Sequence, residues 1–308
     1  MSSPQEFQDA MRGADKVAFL DRTTIPLAVP IPDIAPPGPV VAICDEPLTT
    51  AISWLQPHPW ISHVLNDTML EHPIADEHLD HVTRALSAGS KPRLLDWLGP
   101  HANGRRIRLT HASSRAMRLE KMSEFFDANN VGSRTLQLLR DAAEELLTNA
   151  FYDAPVAAGA LKKPVSRTQD ISLPDDSACD LAYACREDLA VVRVRDPFGS
   201  LSRRRLVEVL SRCARSDMQV EVDETMGGAG LGMWRIFSGA SFVAIVVVKN
   251  RRTEILVGIA KRAGAGPRPF AFHLFFSDIG KRRFWRLADD ESNKLTVNKS
   301  VTIVSSSK

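Results

Sequence analysis

Residues 139–150 read Leu-Arg-Asp-Ala-Ala-Glu-Glu145-Leu-Leu-Thr-Asn149-Ala. Apolar groups at Leu136, Leu139, Ala143, Leu146, Leu147 and Ala150 recur every three or four residues. That period predicts an amphipathic helix from Arg134 to about Phe151 with one face in a core, and Ser133 is placed to cap its start. Glu145 and Asn149 are one turn apart and project from the same side. A carboxylate in that position can orient an attacking water or hydroxyl as a general base. An amide oxygen beside it can ligate Mg²⁺, a hard ion that takes oxygen donors and brings phosphates with it. An E-x-x-x-N pair is more often an ordinary polar helix face, so its meaning depends on the more C-terminal parts of the chain.

Two segments there supply that context. Val194-Arg195-Asp196-Pro197-Phe198-Gly199 closes a strand-like run. An acid at a strand end can accept a hydrogen bond from a ring amino group, and a glycine next to it lets backbone approach the ring. Gly227-Gly228-Ala229-Gly230-Leu231-Gly232 then leads into a helix ending near Gly239. Glycines expose backbone N–H groups, and a helix start adds positive partial charge for phosphate. The loop is neither G-x-x-x-x-G-K-[ST] nor a strand-linked G-x-G-x-x-G, which disfavours a P-loop enzyme and a Rossmann dehydrogenase.

In this order the three segments resemble the Bergerat-fold (GHKL) ATPase superfamily, which includes gyrase B, heat-shock chaperone ATPases, histidine kinases and mismatch-repair ATPases. Glu145 and Asn149 match its N-box. Asp196 and Gly199 match its first glycine box, spaced D-x-x-G where the family usually has D-x-G. Gly228, Gly230, Leu231 and Gly232 match its second, and Thr253 sits where the family often has a threonine near adenine. The resemblance covers about 110–262. It implies a mixed sheet covered by helices on one face, an ATP site and Mg²⁺ held by Asn149, with Glu145 as the catalytic base.

Within the superfamily, the layout of one helix at Ser113–Asn129, a glycine turn and the N-box helix is similar to the anti-sigma-factor serine kinases. Those regulators bind a sigma factor or an anti-sigma antagonist and phosphorylate a serine on the antagonist. They often carry His where this chain has Asp153, which takes the corresponding place at the nucleotide. The alternatives are a nucleotide-gated binding module and an atypical histidine kinase acting on a response regulator. His111-Ala-Ser-Ser does not match the usual phosphorylatable-histidine box. A homodimer fits this family reading.

Around this segment the chain has 308 residues, 44% hydrophobic and 25% charged, with a net charge of +2. That excludes a collagen, a disordered chain or a disulfide scaffold. Residues 1–100 carry a net of −7 and the remainder +9, which predicts units with different work. Six prolines between Pro26 and Pro39 suggest a leader or linker over 1–39. Strand-like and helix-like stretches alternate over 40–110, from Val40–Asp45 to Arg106–Leu109. They predict a smaller α/β unit, loosely similar to a degenerate receiver domain with only Asp45 in an acidic-pocket position. The expected organisation is therefore α/β throughout, with an ATP-binding two-layer sandwich over 111–265 and a C-terminal β extension over 266–308.

Hairpin strands are expected at Cys179–Cys185 and Leu189–Arg195, then a helix from about Arg203 to Cys213. Arg203, Arg204 and Arg205 are within reach of phosphates, although a solvated helix face is the commoner outcome for such a run. The last strands are expected at Ser241–Lys249 and Thr253–Ile259. Residues 249–286 hold ten Lys/Arg and two Asp/Glu around Phe270-Ala-Phe-His-Leu-Phe-Phe276. An extra strand pair packed on the sheet explains that mixture better than a nucleic-acid surface. The basic excess suits a polyanionic nucleotide.

Five of the eight histidines fall between His58 and His81. A metal site on His72, His78 and His81 is conceivable at helical spacing, but scattered surface histidines are commoner. The four cysteines form no C-x-x-C pair, no secretory leader is read at the start, and the longest apolar run, Phe242–Val248, is too short to span a bilayer. A cytoplasmic protein is expected.

Overall fold

Strand-by-strand alternation of apolar residues sets the architecture. In the run Phe242–Val248, the residues Val243, Ile245 and Val247 enter one apolar cluster, while Phe242, Ala244 and Val246 enter another. A strand apolar on both sides is an inner strand covered on both faces. The same split recurs at 189–194, 254–259 and 271–276, so the sheet has two buried faces. In a computed structural model, the residues described are 17–20, 39–44, 48–88, 97–98, 102–215, 231–261, 268–277 and 302–304.

The strands are β1 (Ala18–Leu20), β2 (Val40–Cys44), β3 (His63–Asn66), β4 (Asn103–Leu109), β5 (Asp170–Ser172), β6 (Cys179–Cys185), β7 (Leu189–Asp196), β8 (Phe242–Val248), β9 (Arg252–Ala260), β10 (Ala271–Ser277) and β11 (Thr302–Val304). The helices are α1 (Leu48–Trp54), α2 (Asp67–Glu71), α3 (Ala75–Ser87), α4 (Arg115–Ala128), α5 (Ser133–Thr148), α6 (Ala154–Ala157), α7 (Arg203–Arg215) and α8 (Leu231–Gly239). Nine strands form one mixed sheet in the order β1-β2-β3-β10-β8-β9-β7-β6-β4, and β5 pairs with β11 in a separate ladder. The fold is α/β. No helix among the described residues is long and apolar enough to cross a membrane.

Three expectations change. Among the described residues the region 40–110 forms no sheet of its own: β3 pairs antiparallel with β10, and β4 pairs antiparallel with β6. The apolar strands on either side of residue 110 complete a shared core, so the boundaries expected at 110/111 and 265/266 fall inside one sheet. Helices also cover both faces. One face takes α1, α4, α5, α7 and α8, and the other takes α2 and α3 together with Trp97. Finally, β10 is an inner strand, parallel to β8 and buried along its whole length, rather than part of an added pair. That position explains its run of phenylalanines, because both of its faces meet core. Of the segment expected as a leader over 1–39, Ala18–Leu20 runs parallel to β2. Asp45 lies outside the described residues.

Four of the eight histidines leave the surface. His58, His63, His78 and His273 are buried. His78 Nε2 lies 2.8 Å from His273 Nε2, and the His78 ring also meets Trp97 and Phe242. His63 packs between His273 and Phe275, and among the described residues neither of its ring nitrogens has a hydrogen-bond partner. Burial pulls the imidazoles of His63 and His78 down to about 3. His81 faces Glu77 instead, and His72 accepts from the Ile74 N–H, so the less favoured His72/His78/His81 metal set does not converge. Among the described residues no group of three metal-ligating side chains occurs. All four cysteines are buried.

Candidate functional site

Helix α5 begins at Ser133, with Gly132 rather than Ser133 in the cap position, and buries Leu139, Ala142, Ala143, Leu146 and Leu147 against the sheet. Each buried leucine contributes roughly 1.5–3 kcal/mol, which locks the rotation of the helix and therefore the direction of Glu145. At Asn149 the helix changes character: Asn149–Asp153 forms a π-helical turn before α6 resumes. Such wider turns are uncommon and concentrate at functional sites. Propensity and period do not mark it. Its effect is to bring Asp153 round to the wall that also holds Asn149.

Glu145, Asn149, Asp153, Asp196 and Thr253 line one cleft of about 150 Å³ between α5, α6, α7 and the ends of β7 and β9. Val194, Leu206, Val209, Met233 and Ile255 make most of the remaining wall apolar. An apolar cleft with a few convergent polar groups is the usual form of a small-molecule site.

Asp196 sits at the end of β7 directly opposite Thr253 on β9 and is 8% exposed. Its Oδ1 accepts the N–H groups of Phe198 at 2.8 Å and Gly199 at 3.3 Å. Burial pushes its carboxyl above the ordinary value, and these N–H groups oppose the rise. The Thr253 hydroxyl and backbone N–H face this carboxyl and also oppose the rise, although among the described residues the hydroxyl makes no hydrogen bond of normal geometry.

Gly199 has a different task from the one expected. Its φ is +62°, and a Cβ there would lie 2.7 Å from Arg252 N and 2.8 Å from Arg251 N. The backbone that approaches it closely is therefore the β8–β9 turn of the chain itself, which also returns an N–H from Asn250 to the Gly199 carbonyl at 3.1 Å. Gly199 fixes Asp196 against that turn and is not part of the cleft wall.

The Asn149 amide nitrogen donates to Glu145 Oε1 at 3.4 Å. This hydrogen bond commits the nitrogen and leaves the carbonyl oxygen for another partner. One protein oxygen suits Mg²⁺, which keeps several waters and takes its remaining ligands from phosphates, so the residues present fit that ion. Burial raises the Glu145 carboxyl above its ordinary value; Arg167 opposes the rise, Asp153 adds to it, and the Asn149 bond and Arg235 oppose it. Glu145 also packs on α8: a Cβ at Gly232 would fall on the Glu145 carboxylate. Asp153 is raised by burial and restrained by Arg167 and Arg205, with Arg167 Nη2 at 3.7 Å.

The sequence-predicted residues thus divide. Glu145, Asn149, Asp153, Asp196 and Thr253 come together, and Gly232 contacts Glu145. Gly228 and Gly230 lie outside the described residues, as does the side chain of Leu231, the first residue of α8. The arginine run separates as well. Arg203 is buried, with its Nη2 donating to the carbonyls of Leu55, Ile61 and His58 at 2.7, 2.9 and 3.3 Å. Arg204 pairs with Glu208 at 3.0 Å, and Arg205 alone lines the cleft. Arg167 is a further cation near the carboxylates, in a loop whose sequence gives no sign of it.

No protein-family model and no curated protein matches the chain. The geometry and chemistry of the cleft therefore carry the functional reading.

Proposed function

We propose that the cleft binds Mg-ATP in the manner of the Bergerat-fold ATPases and that the protein is an ATP-dependent kinase of the anti-sigma-factor type. The observation that carries this reading is the meeting of Asp196 and Thr253 with Glu145, Asn149 and Asp153 around one apolar cleft, from segments between 43 and 108 residues apart in the chain.

In this reading the adenine ring lies against Val194, Leu206 and Ile255. Its amino group donates to the Asp196 oxygen not engaged by Phe198, and Thr253 supplies a polar neighbour. The phosphates run toward α8 and Glu145, where Gly232 leaves room. Mg²⁺ held by Asn149 would neutralise phosphate charge. Arg205 and Arg167 add positive charge on the Asp153 side. Glu145 orients the acceptor hydroxyl and takes its proton, a role helped by burial that raises its proton affinity.

The test uses ATP labelled at the γ-phosphate, incubated with the protein and lysate. A labelled partner protein supports the kinase. Label on neither chain nor partner, with ATP still bound, supports the nucleotide-gated module instead. Glu145→Ala is expected to bind ATP as the parent does and to lose turnover by about 10²- to 10⁴-fold, roughly the contribution of a positioned general base.

A further inference from the structure

One arginine grips the π-helical turn that follows α5. Arg115 is the first residue of α4, and its side chain is 14% exposed. Its Nη1 donates to the Thr148 hydroxyl at 2.6 Å, and its guanidinium lies 5.0 Å from the centre of the Tyr152 ring. Thr148 is the last residue of α5 and Tyr152 sits inside the turn, so a single side chain touches both ends of it. Nη1 also lies 3.5 Å from Glu144, and Nε donates to the Ala112 carbonyl at 3.0 Å, which fixes the direction of the guanidinium. The Tyr152 hydroxyl in turn donates to the Gln169 carbonyl at 2.6 Å. That bond ties in the loop whose Arg167 reaches Asp153.

The shape of this turn decides what faces the cleft. An α-helix rotates by about 100° per residue, so α5 continued unbroken would carry Asp153 about 80° round the axis from Glu145, eight residues before it. The wider turn subtracts from that angle and sets Glu145, Asn149 and Asp153 along one wall. Pro155, at the start of α6, removes an N–H from the helical ladder and loosens it there, but does not dictate the shape of the turn. The hydrogen bond from Arg115 to Thr148, the cation beside the Tyr152 ring and the bond from Tyr152 to Gln169 do. Thr148 and Tyr152 are 5% and 4% exposed, and such contacts count for more away from water. Arg115, Thr148 and Tyr152 line no part of the nucleotide cleft, so their effect on it passes through the turn.

We infer that Arg115 is a positioning residue for the candidate nucleotide cleft. By holding Thr148 and Tyr152 it sets the π-helical turn, and with it the places of Asn149 and Asp153 relative to Glu145. The inference rests on the Mg-ATP reading of that cleft and divides the cleft into two parts. Asn149, and the metal it would hold, depends on the turn and so on Arg115. Asp196 and Thr253 stand opposite each other on β7 and β9, framed by the sheet and by the Gly199 N–H, and do not. Loss of Arg115 therefore weakens the Mg²⁺-dependent part of nucleotide binding and leaves the metal-free part as it was.

The experiment compares the parent with Arg115→Ala, Arg115→Lys and Lys121→Ala, the last removing an exposed charge from the same helix. Amide hydrogen exchange reads the turn itself, with no nucleotide present. A fluorescent ATP analogue, titrated in EDTA and over a Mg²⁺ series, reads the effect on the cleft. In Arg115→Ala, exchange at Asn149–Asp153 is expected to speed up and the Mg²⁺ concentration for half-maximal binding to rise. Each change is about tenfold or more, the scale of one lost hydrogen bond to a charged group. Affinity in EDTA stays that of the parent. Arg115→Lys, which keeps a cation and a donor, recovers part of both effects, and Lys121→Ala shows neither. Unchanged exchange in Arg115→Ala, or a parent-like Mg²⁺ dependence, overturns the inference. So does an equal loss of affinity with and without Mg²⁺, the mark of a general loss of structure. A parent that binds no analogue under any condition sinks the nucleotide reading and the positioning role with it. A parent that binds it while Arg115→Ala behaves alike sinks only the role of Arg115.

Discussion

Replacing His63 by leucine removes a buried imidazole whose two nitrogens have no partner among the described residues and whose residue is 2% exposed. Burial holds that imidazole at about 3, against 6.5 for the ordinary side chain. In the unfolded chain it protonates near pH 6.5, while in the folded chain it stays neutral until about pH 3. The unfolded state therefore binds more protons throughout that window, and stability falls as the pH falls. One unit of difference is about 1.36 kcal/mol. Two units below 6.5, at pH 4.5, the group costs about 2.7 kcal/mol, and the loss saturates at about 4.8 kcal/mol only below pH 3. Against a typical stability of about 5–15 kcal/mol, one histidine is enough to bring on early acid unfolding, and His78 acts in the same direction. The raised carboxyls Glu145, Asp153 and Asp196 bind protons more readily when folded and act oppositely, so the parent slope alone is not diagnostic. Urea melts of the parent and His63→Leu at pH 7.5, 5.5 and 4.5 isolate the histidine's effect. The variant is expected to match or exceed the parent at pH 7.5 and to gain about 2.7 kcal/mol on it by pH 4.5. Parallel pH profiles for the two proteins would falsify the reasoning.

Gly199→Ala forces a side chain into a φ of +62° and against the β8–β9 turn; a loss of at least about 2 kcal/mol in urea melts is expected, and a loss under about 0.5 kcal/mol argues against the packing described. Gly232→Ala puts a methyl group where the Glu145 carboxylate lies. Phosphoryl-transfer assays should show a fall of about 10²-fold, the scale of an ångström-sized misplacement, with the circular dichroism spectrum unchanged; unaltered turnover contradicts the placement of Glu145. Arg203→Ala leaves the Leu55 and Ile61 carbonyls without their charged donor. About 2–3 kcal/mol of stability should go, and thermal melts that do not move show that water replaces the guanidinium without cost.

Part of the candidate cleft was legible in local spacing: one helical turn separates Glu145 from Asn149, and Asp196 closes a strand. The pairing that sets Asp196 across from Thr253 is non-local, and the family resemblance alone pointed to Thr253. The helix and hairpin segments between 113 and 196 follow from period and turn residues; the first helix and the hairpin strands lie within two residues of expectation, whereas α5 ends at Thr148, three residues short of the expected Phe151, where the π-helical turn takes over. What the sequence hid is non-local. Phe270–Phe276 reads as a strand, but its place between β3 and β8 is set by pairing with Phe242–Val248 and, far earlier in the chain, with His63–Leu65. That one strand joins what looked like separate units. The π-helical turn at Asn149–Asp153 has no compositional signature. The three consecutive arginines look alike in sequence, yet a helix sends Arg203 inward to carbonyls, Arg204 to Glu208 and Arg205 to the cleft. The histidines misled because a polar residue is assumed to be exposed, whereas here His63, His78 and His273 fill the second core between α3 and β10.

The central claim is that Asp196 anchors a nucleotide in this cleft, and calorimetric titration of Mg-ATP into the parent and Asp196→Asn tests it most directly. The amide keeps an oxygen for the Phe198 and Gly199 N–H groups but turns an NH₂ donor toward the adenine amino group. The predicted result is saturable binding of one ATP per chain in the parent and at least about tenfold weaker binding in the variant, a difference of about 1.4 kcal/mol or more. No binding to the parent, or equal affinity in the two proteins, would contradict it.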